Sequence, residues 1–300
     1  MTRKIGFLGP QGTYSEEAAL LHDASADRAY PTITSVGDAV AQGEIDEGIV
    51  PIENSLAGAV IFTLDVLIDQ PTLFIRGEID LPIEHYLVAK PGTDLSEIKV
   101  IYSHPQALAQ CRGYLEKNFP KAEQMASLST VLCITDSFES KVPAAAISPR
   151  RASELYDVEI LDRGIQDEES NVTRFAVLGL SDHQPTGRDK TSMAFTFEED
   201  TPGLLYRVLR EFGQRDINLF KIESRPTKKY LGEYIFLMDC AGHREESPMK
   251  EALAALSEPT SMLRVLGSYP RWNPKPDIPK NVGPPPAVLL RNPNTAHITS

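Results

Sequence analysis

The sequence predicts an α/β protein of two lobes facing a crevice, followed by a smaller α+β unit of element order βαββαβ. Three observations predict it. Short apolar runs end repeatedly in polar residues beside glycine or proline and pass directly into helical patterns, as strand-to-helix units do. A polar segment, "GLSDHQPTGRDKT" (179–191), separates two regions of regular apolar patterning and reads as a linker. Beyond it the pattern runs strand, helix, strand, strand, helix, strand, the order of a ferredoxin-like unit.

The first strand, "KIGFLG", runs into "PQGTYSEEAALLH". Thr13 followed by Glu16 has capping-box spacing, which predicts a helix from Tyr14 to about His22. The turn over Gln11, Gly12 and Thr13 leaves backbone N–H groups free, a setting suited to a carboxylate or phosphate. It is neither a Walker loop nor a dinucleotide fingerprint. The apolar run 48–52 reads as a buried parallel strand, with Glu53, Asn54 and Ser55 at its C-terminal end, where open α/β sheets bind ligands. In "IKVIYSHPQALAQCRGYLEKNF" the strand ends at Ser103 and His104 follows. Pro105 takes the first helical position, and the helix, with Gln106 in its first turn, continues to about Phe119.

The fourth edge is "ESNVTRFAVLG" (169–179), which alternates Thr173, Phe175 and Val177 on one side with Val172, Ala176 and Leu178 on the other. Arg174 breaks this apolar pattern, and Asn171, Thr173 and Arg174 gather at the strand's mouth. Four such edges imply two lobes around a crevice, the chain crossing near 76–85 and returning around 160–170.

In the later region "TSMAFTFEED" alternates Met193, Phe195 and Phe197 as a strand, and Asp200 or Thr201 caps a helix with Pro202 in its first turn. That helix sets Leu204, Leu205, Val208, Leu209 and Phe212 on one face. "NLFKIESRPT", a "KKYLG" turn, "EYIFLMDCAG", an amphipathic "SPMKEALAALSE" and the strand "MLRVLGSY" complete the unit. The expected bounds are 1–182 for the two lobes, 183–190 for the linker, 191–272 for the second unit and 273–300 for a proline-rich tail. The tail has no sustained period and is expected to be disordered, apart from a short "AVLL".

The net charge of −12 is uneven: residues 1–185 carry −14 and residues 186–300 carry +2. An acidic first half excludes a nucleic-acid face, which must be basic. A small anion bound there must meet a few aimed donors. Cys111, Cys133 and Cys240 are odd in number and widely spaced, with no CxxC and no local His cluster, so neither a disulfide framework nor a zinc site is supported and a reducing cytoplasm fits. No signal-peptide core follows "MTRKIGFLGP". No stretch approaches the roughly 18 apolar residues of a membrane helix.

"GPQGTYSEEAA", "VPIENSLAG", "SHPQALAQC" and "ESNVTRF" resemble, in order and spacing, the signature stretches of prephenate dehydratase, and the likeness covers roughly residues 3–180. The resemblance implies a two-lobed, periplasmic-binding-protein-like catalytic domain. It also implies a lyase of phenylalanine biosynthesis that converts prephenate into phenylpyruvate, water and carbon dioxide without metal or organic cofactor. The start of the chain at its first strand implies an enzyme not fused to a chorismate mutase.

Prephenate carries two carboxylates and an allylic hydroxyl, and loss of carbon dioxide and hydroxide leaves an aromatic ring. Arg174 is the expected carboxylate clamp, since its fork binds bidentately. Thr173, marked by the resemblance as essential, is expected to donate to the departing hydroxyl. Glu53 is the expected proton source if burial raises its pKa, with His104 as a further acid. Asn54, Ser55, Ser103, Gln106 and Asn171 serve as neutral donors and orienters beside Phe175, and Gln11, Gly12 and Thr13 form a substrate-binding turn.

Residues 191–272 resemble an ACT domain, a small-molecule sensor, through "ESRP" (223–226) and "PGLLYRVL" (202–209). The resemblance implies phenylalanine bound as allosteric effector between paired ACT domains of a homodimer or homotetramer. Pro202, Gly203, Leu204, Leu205, Glu223, Ser224, Arg225 and Pro226 are the candidate contacts, with Leu204 standing where a smaller residue is common. Two alternatives remain: arogenate dehydratase, acting on the transaminated analogue, and a non-catalytic small-molecule sensor using the same crevice. The missing signal peptide and the pairing of Thr173 with Arg174 weigh against the sensor.

Overall fold

A computed structural model describes residues 3–198, 201–227 and 233–273. The Asp200 cap, the 228–232 turn and residues 274–300 of the tail lie outside the described residues. In chain order the first lobe contains β1 (Ile5–Leu8), α1 (Tyr14–His22), β2 (Arg28–Tyr30), α2 (Ile33–Ala41), β3 (Glu47–Asn54), β4 (Gly58–Ala59), α3 (Ile61–Asp69) and β5 (Phe74–Pro82). The second contains β6 (Tyr86–Ala89), β7 (Val100–Ser103), α4 (Pro105–Gln110), α5 (Arg112–Asn118), β8 (Glu123–Ala126), α6 (Leu132–Glu139), β9 (Ala144–Ser148), α7 (Arg150–Leu155) and β10 (Glu159–Arg163). The chain then returns to the first lobe as β11 (Val172–Gly179).

The first sheet has the order β2-β1-β3-β11-β5, so the returning β11 lies between β3 and β5 and runs antiparallel to both. β1 and β3 are parallel, as the buried apolar run at 48–52 predicts. The second sheet has the order β10-β6-β9-β7-β8. The two crossings are pinned to each other: Ile83 N donates to Asn171 O (2.8 Å), and Ile165 N donates to His85 O (3.2 Å). They fall at 83–85 and 164–171, where the polar strand edges predict a crossover.

α1 spans the predicted residues, and Thr13 caps it by accepting from Glu16 N. Glu16 does not close the reciprocal half of a capping box. Its carboxylate accepts from Gly12 N and pairs with Arg151 of α7 (3.2 Å), tying the turn to the other lobe. Gly12 has φ +88°, and a Cβ there would lie 3.3 Å from the Ala152 backbone of α7, so glycine allows both the turn and the close approach. The helix predicted to reach Phe119 is two helices, broken at Cys111.

The C-terminal unit comprises β12 (Asp189–Thr196), α8 (Leu204–Gly213), β13 (Leu219–Pro226), β14 (Tyr234–Ala241), α9 (Ser247–Leu256) and β15 (Met262–Pro270). The element order is the expected one, and the antiparallel sheet has the order β13-β14-β12-β15. α8 begins later than predicted: Gly203 is its N-cap, and Pro202 precedes the helix. One face of this sheet carries α8 and α9 over Met193, Phe195, Val208, Phe212 and Met238.

The other face has no helix of its own and packs on the first lobe. Ala194, Ile235, Leu237, Leu266 and Tyr269 share one buried cluster with Val50, Ile52, Leu64, Ile75 and Ala176. Gly267 of β15 marks the closest approach, since a Cβ there would lie 2.0 Å from Ile75 O of β5. Cys111, Cys133 and Cys240 are free and buried. Among the described residues no helix is long and apolar enough to cross a membrane.

Candidate active site

A cleft of ≈ 370 Å³ opens between the lobes beneath the crossings. It is lined from the first lobe by Thr13, Tyr14, Pro51, Asn54, residues 57–60, Thr173 and Phe175, and from the second by His104, Gln106, Gln110 and Thr130. Ile83 and His85, at the crossing itself, and Ser15 and Ala107 complete the wall. Among the described residues the lining holds no Asp, Glu, Lys or Arg.

The central pair is Asn54 and Thr173, directly opposite each other on β3 and β11. Asn54 Nδ2 donates to Thr173 Oγ1 (2.9 Å) and to Asn171 Oδ1 (2.7 Å). Asn54 Oδ1 accepts from the backbone N–H of Leu56 (3.1 Å) and Ala57 (2.9 Å), which fixes the amide's orientation. Thr173 therefore accepts a hydrogen bond at its oxygen, which leaves its own O–H to donate elsewhere. Asn171, 1 % exposed, stands behind this pair as its support.

Strand alternation decides the fate of the charged candidates. Thr173 and Phe175 face the cleft, and Arg174 between them faces the C-terminal sheet. Arg174 Nη1 pairs with Asp239 of β14 (2.7 Å) and Glu78 (3.4 Å), and Nη2 pairs with Glu53 (2.9 Å). Burial disfavours the Arg174 charge, but Asp239 leads the surrounding anions in holding its pKa well above the usual value. The structure thus corrects the carboxylate-clamp assignment.

Glu53 is corrected with it. A bulge in the β3–β11 register pairs Arg174 with Glu53 and Phe175 with Pro51, skipping Ile52. Ile52 and Glu53 consequently turn to the same side, away from the cleft. There Glu53 meets Arg174 and Lys221 of β13 (2.9 Å), so it is an ion-pair partner rather than a proton source facing substrate.

Ser55, Ser103, Gln11 and Gly12 also lie outside the lining, as does the supporting Asn171, and the Gly12 N–H, expected to be free for a substrate, donates to the Glu16 carboxylate instead. Ser55 Oγ donates to Ser170 O (3.2 Å) and accepts from Val172 N (2.9 Å), clasping the returning crossing. Ser103 is fully buried and donates to Ile147 O (2.7 Å) inside the second sheet. Gln11 is exposed on the turn. His104 and Gln106 do reach the cleft. His104 Nδ1 caps α4 by accepting from Gln106 N (3.3 Å), which leaves Nε2 for a ligand.

His85, Tyr14 and Gln110 are cleft residues that the sequence patterns do not single out. His85, 2 % exposed, is held between Gln110 Oε1 at Nε2 (2.9 Å) and the Tyr14 hydroxyl at Nδ1 (3.0 Å). Burial pulls the His85 pKa down and pushes the Tyr14 pKa well above its ordinary value, so the neutral form of each is favoured. The available signal was positional: His85 closes "RGEIDLPIEH", where the chain changes lobes.

Of the effector candidates, only Leu204 and Arg225 border a hollow, each a different one, and Leu205 packs against the core beneath α8. Leu204 borders one with Arg207 and Glu258, and Arg225 borders another beside α3, where it pairs with Asp65. Glu223 pairs with Lys221 (3.1 Å), and Pro202, Gly203, Ser224 and Pro226 are exposed.

Comparison with known proteins gives concordant matches. A family model described as prephenate dehydratase matches residues 5–183, and one described as ACT domain matches residues 198–258. A bifunctional chorismate mutase/prephenate dehydratase from Aquifex aeolicus is 40 % identical over 270 residues, covering 89 % of this chain and 74 % of the relative. A prephenate dehydratase from Methanocaldococcus jannaschii is 37 % identical over 276 residues, covering 90 % and 99 %. The crystal structure of prephenate dehydratase from Arthrobacter aurescens in complex with L-Phe superposes with a TM-score of 0.83 at 37 % identity, covering 92 % of each chain.

Proposed function

Because the chain belongs to the prephenate dehydratase family of lyases and carries an ACT domain, we propose that it converts prephenate to phenylpyruvate and responds to phenylalanine through its C-terminal sheet. In this reading residues 1–182 are the catalytic domain, with lobes arranged as in periplasmic binding proteins, and 191–272 are a ferredoxin-like ACT domain.

The observation that carries the reading is the Asn54–Thr173 pair in the interlobe cleft. Asn54 occupies the Thr173 oxygen, so the hydroxyl proton is aimed at the space where the departing hydroxide forms. That proton stabilises charge that develops only as the C–O bond breaks. Loss of carbon dioxide from the ring carboxylate supplies the electrons, and aromatisation supplies the driving force. Thr13, His104, Gln106 and Thr130 surround the dianion with hydrogen-bonding side chains. Phe175 and Ile83 give the nascent aromatic ring an apolar wall. The fixed His85–Tyr14–Gln110 group holds the cleft wall at the crossing.

Phenylalanine is proposed as effector because the A. aurescens relative is described in complex with it and Glu223–Pro226 retain the motif of the resemblance. The test is to incubate the purified chain with prephenate and follow phenylpyruvate by its absorbance in alkali, with and without phenylalanine. Product formation that phenylalanine suppresses is the expected result. Turnover of arogenate alone would reassign the substrate, and no product from either would overturn the enzymatic reading.

A further inference from the structure

Behind the catalytic strands lies a continuous chain of ion pairs that crosses from one unit to the other. Glu223 Oε2 lies 3.1 Å from Lys221 Nζ, Lys221 Nζ lies 2.9 Å from Glu53 Oε1, and Glu53 Oε2 lies 2.9 Å from Arg174 Nη2. Arg174 returns to the C-terminal sheet through Asp239. The far end of this chain is covalently next to the reacting groups: Glu53 precedes Asn54 and Arg174 follows Thr173.

We infer that Lys221, on the ACT sheet, is a positioning residue for the reaction, fixing from behind the β3–β11 pair that presents Asn54 and Thr173 to the cleft. Both side chains are partly buried, Lys221 at 16 % and Glu53 at 31 % exposure, so water compensates each charge incompletely and the ammonium is one of the two cations that Glu53 meets. Removing the ammonium leaves Glu53 bound to Arg174 alone, beside Glu78 and Asp239. Relief is available at the Ile52 bulge, where the strand is already out of register. A shift there moves Asn54, and with it the hydrogen bond that orients Thr173. The same ammonium also serves Glu223, a candidate effector contact. A ligand that engages Glu223 thereby alters what Lys221 offers to Glu53; this last step rests on the phenylalanine reading above.

The experiment uses the full chain. Lys221→Met should lower kcat for prephenate about tenfold with KM held within about twofold, as expected for a small displacement of the catalytic group. Lys221→Arg should recover most of the rate, and Lys221→Met combined with Glu53→Gln should be no slower than the worse single variant. Hydrogen exchange over residues 171–178 should quicken in Lys221→Met, a readout independent of turnover.

A Lys221→Met rate within twofold of the parent, an Arg variant as impaired as the Met variant, or unchanged exchange over β11 would overturn the inference. If the parent chain fails to turn over prephenate, the reaction assignment falls, and the exchange measurement still decides the positioning role. Should Lys221→Met not fold, the charge-cancelled double variant carries the test: a rate matching Glu53→Gln alone supports the chain, and a further tenfold loss refutes it.

Discussion

The two faces of the β3–β11 strand pair hold opposite chemistries one side chain apart. The cleft face presents Asn54, Thr173 and Phe175, all uncharged, in a lining without a formal charge among the described residues. The reverse face presents Glu53 and Arg174, joined by Glu78, Lys190, Lys221 and Asp239. The contrast teaches that the charges of this motif are spent on ion pairs behind the strand, while its neutral neighbours face the cleft. A single position along the chain changes the role completely because successive side chains leave a strand on opposite sides.

The sharpest way to test that division is to remove the cleft-side hydroxyl. Thr173→Ala should lower kcat by about 10³-fold while KM changes little, the range expected for loss of a positioned proton donor. Steady-state kinetics with prephenate would check it, and a parental rate would remove Thr173 from the mechanism. On the reverse face, Arg174→Met leaves Glu53, Glu78 and Asp239 without their shared cation, and should cost about 3–5 kcal/mol of stability. Urea unfolding would measure it. A soluble, stable Arg174→Met variant whose only defect is a raised KM would restore the carboxylate clamp.

Gly267→Ala attacks the seam that brings the charged residues together. Its Cβ would strike the Ile75 carbonyl, and about 2 kcal/mol of destabilisation is expected from the forced backbone shift. A denaturation midpoint equal to that of the parent would show that the seam is pliable.

An effect of similar size to that of Gly267→Ala, but spread over a range of pH, is a pH slope. Burial, then Glu78, raises the Asp80 carboxyl from 3.8 to about 6, outweighing Lys190 and Arg174. The folded chain therefore prefers the protonated form. Its stabilising contribution is complete below about pH 4 and is lost as pH rises through 6. A difference of about 2 pKa units corresponds to about 2 kcal/mol after allowance for partial exposure. Asp80→Asn should flatten stability between pH 4 and 7, and an unchanged slope would assign the titration to another group.

The periodicity of the sequence carried much of this. The Thr13 cap, the strand edges at Asn54 and Ser103, and the Thr173–Phe175 side of β11 are local properties, set by residues within a turn or two of one another. Even the side on which Arg174 emerges was readable from the alternation. What faces that side was not: Asp239 and Lys221 arrive from strands 65 and 47 positions further along. The bulge at Ile52 is likewise invisible to a period of two, and without it Glu53 would have faced the cleft opposite Ile52. Nor does the sequence show that Ser55 and Ser103 spend their hydroxyls on backbone partners, since a hydroxyl at a strand end serves a backbone group as readily as a ligand.

The helix-free face of the C-terminal sheet has a practical consequence. Ile235, Leu237, Leu266 and Tyr269 are buried only because the first lobe supplies the opposing wall. A protein engineer who cuts within 180–188 would separate two halves of one interior and expose apolar surface on both fragments. Transplanting this ACT domain onto a different enzyme would thus require carrying the back of β3, β5 and β11 along with it, or redesigning that face for water.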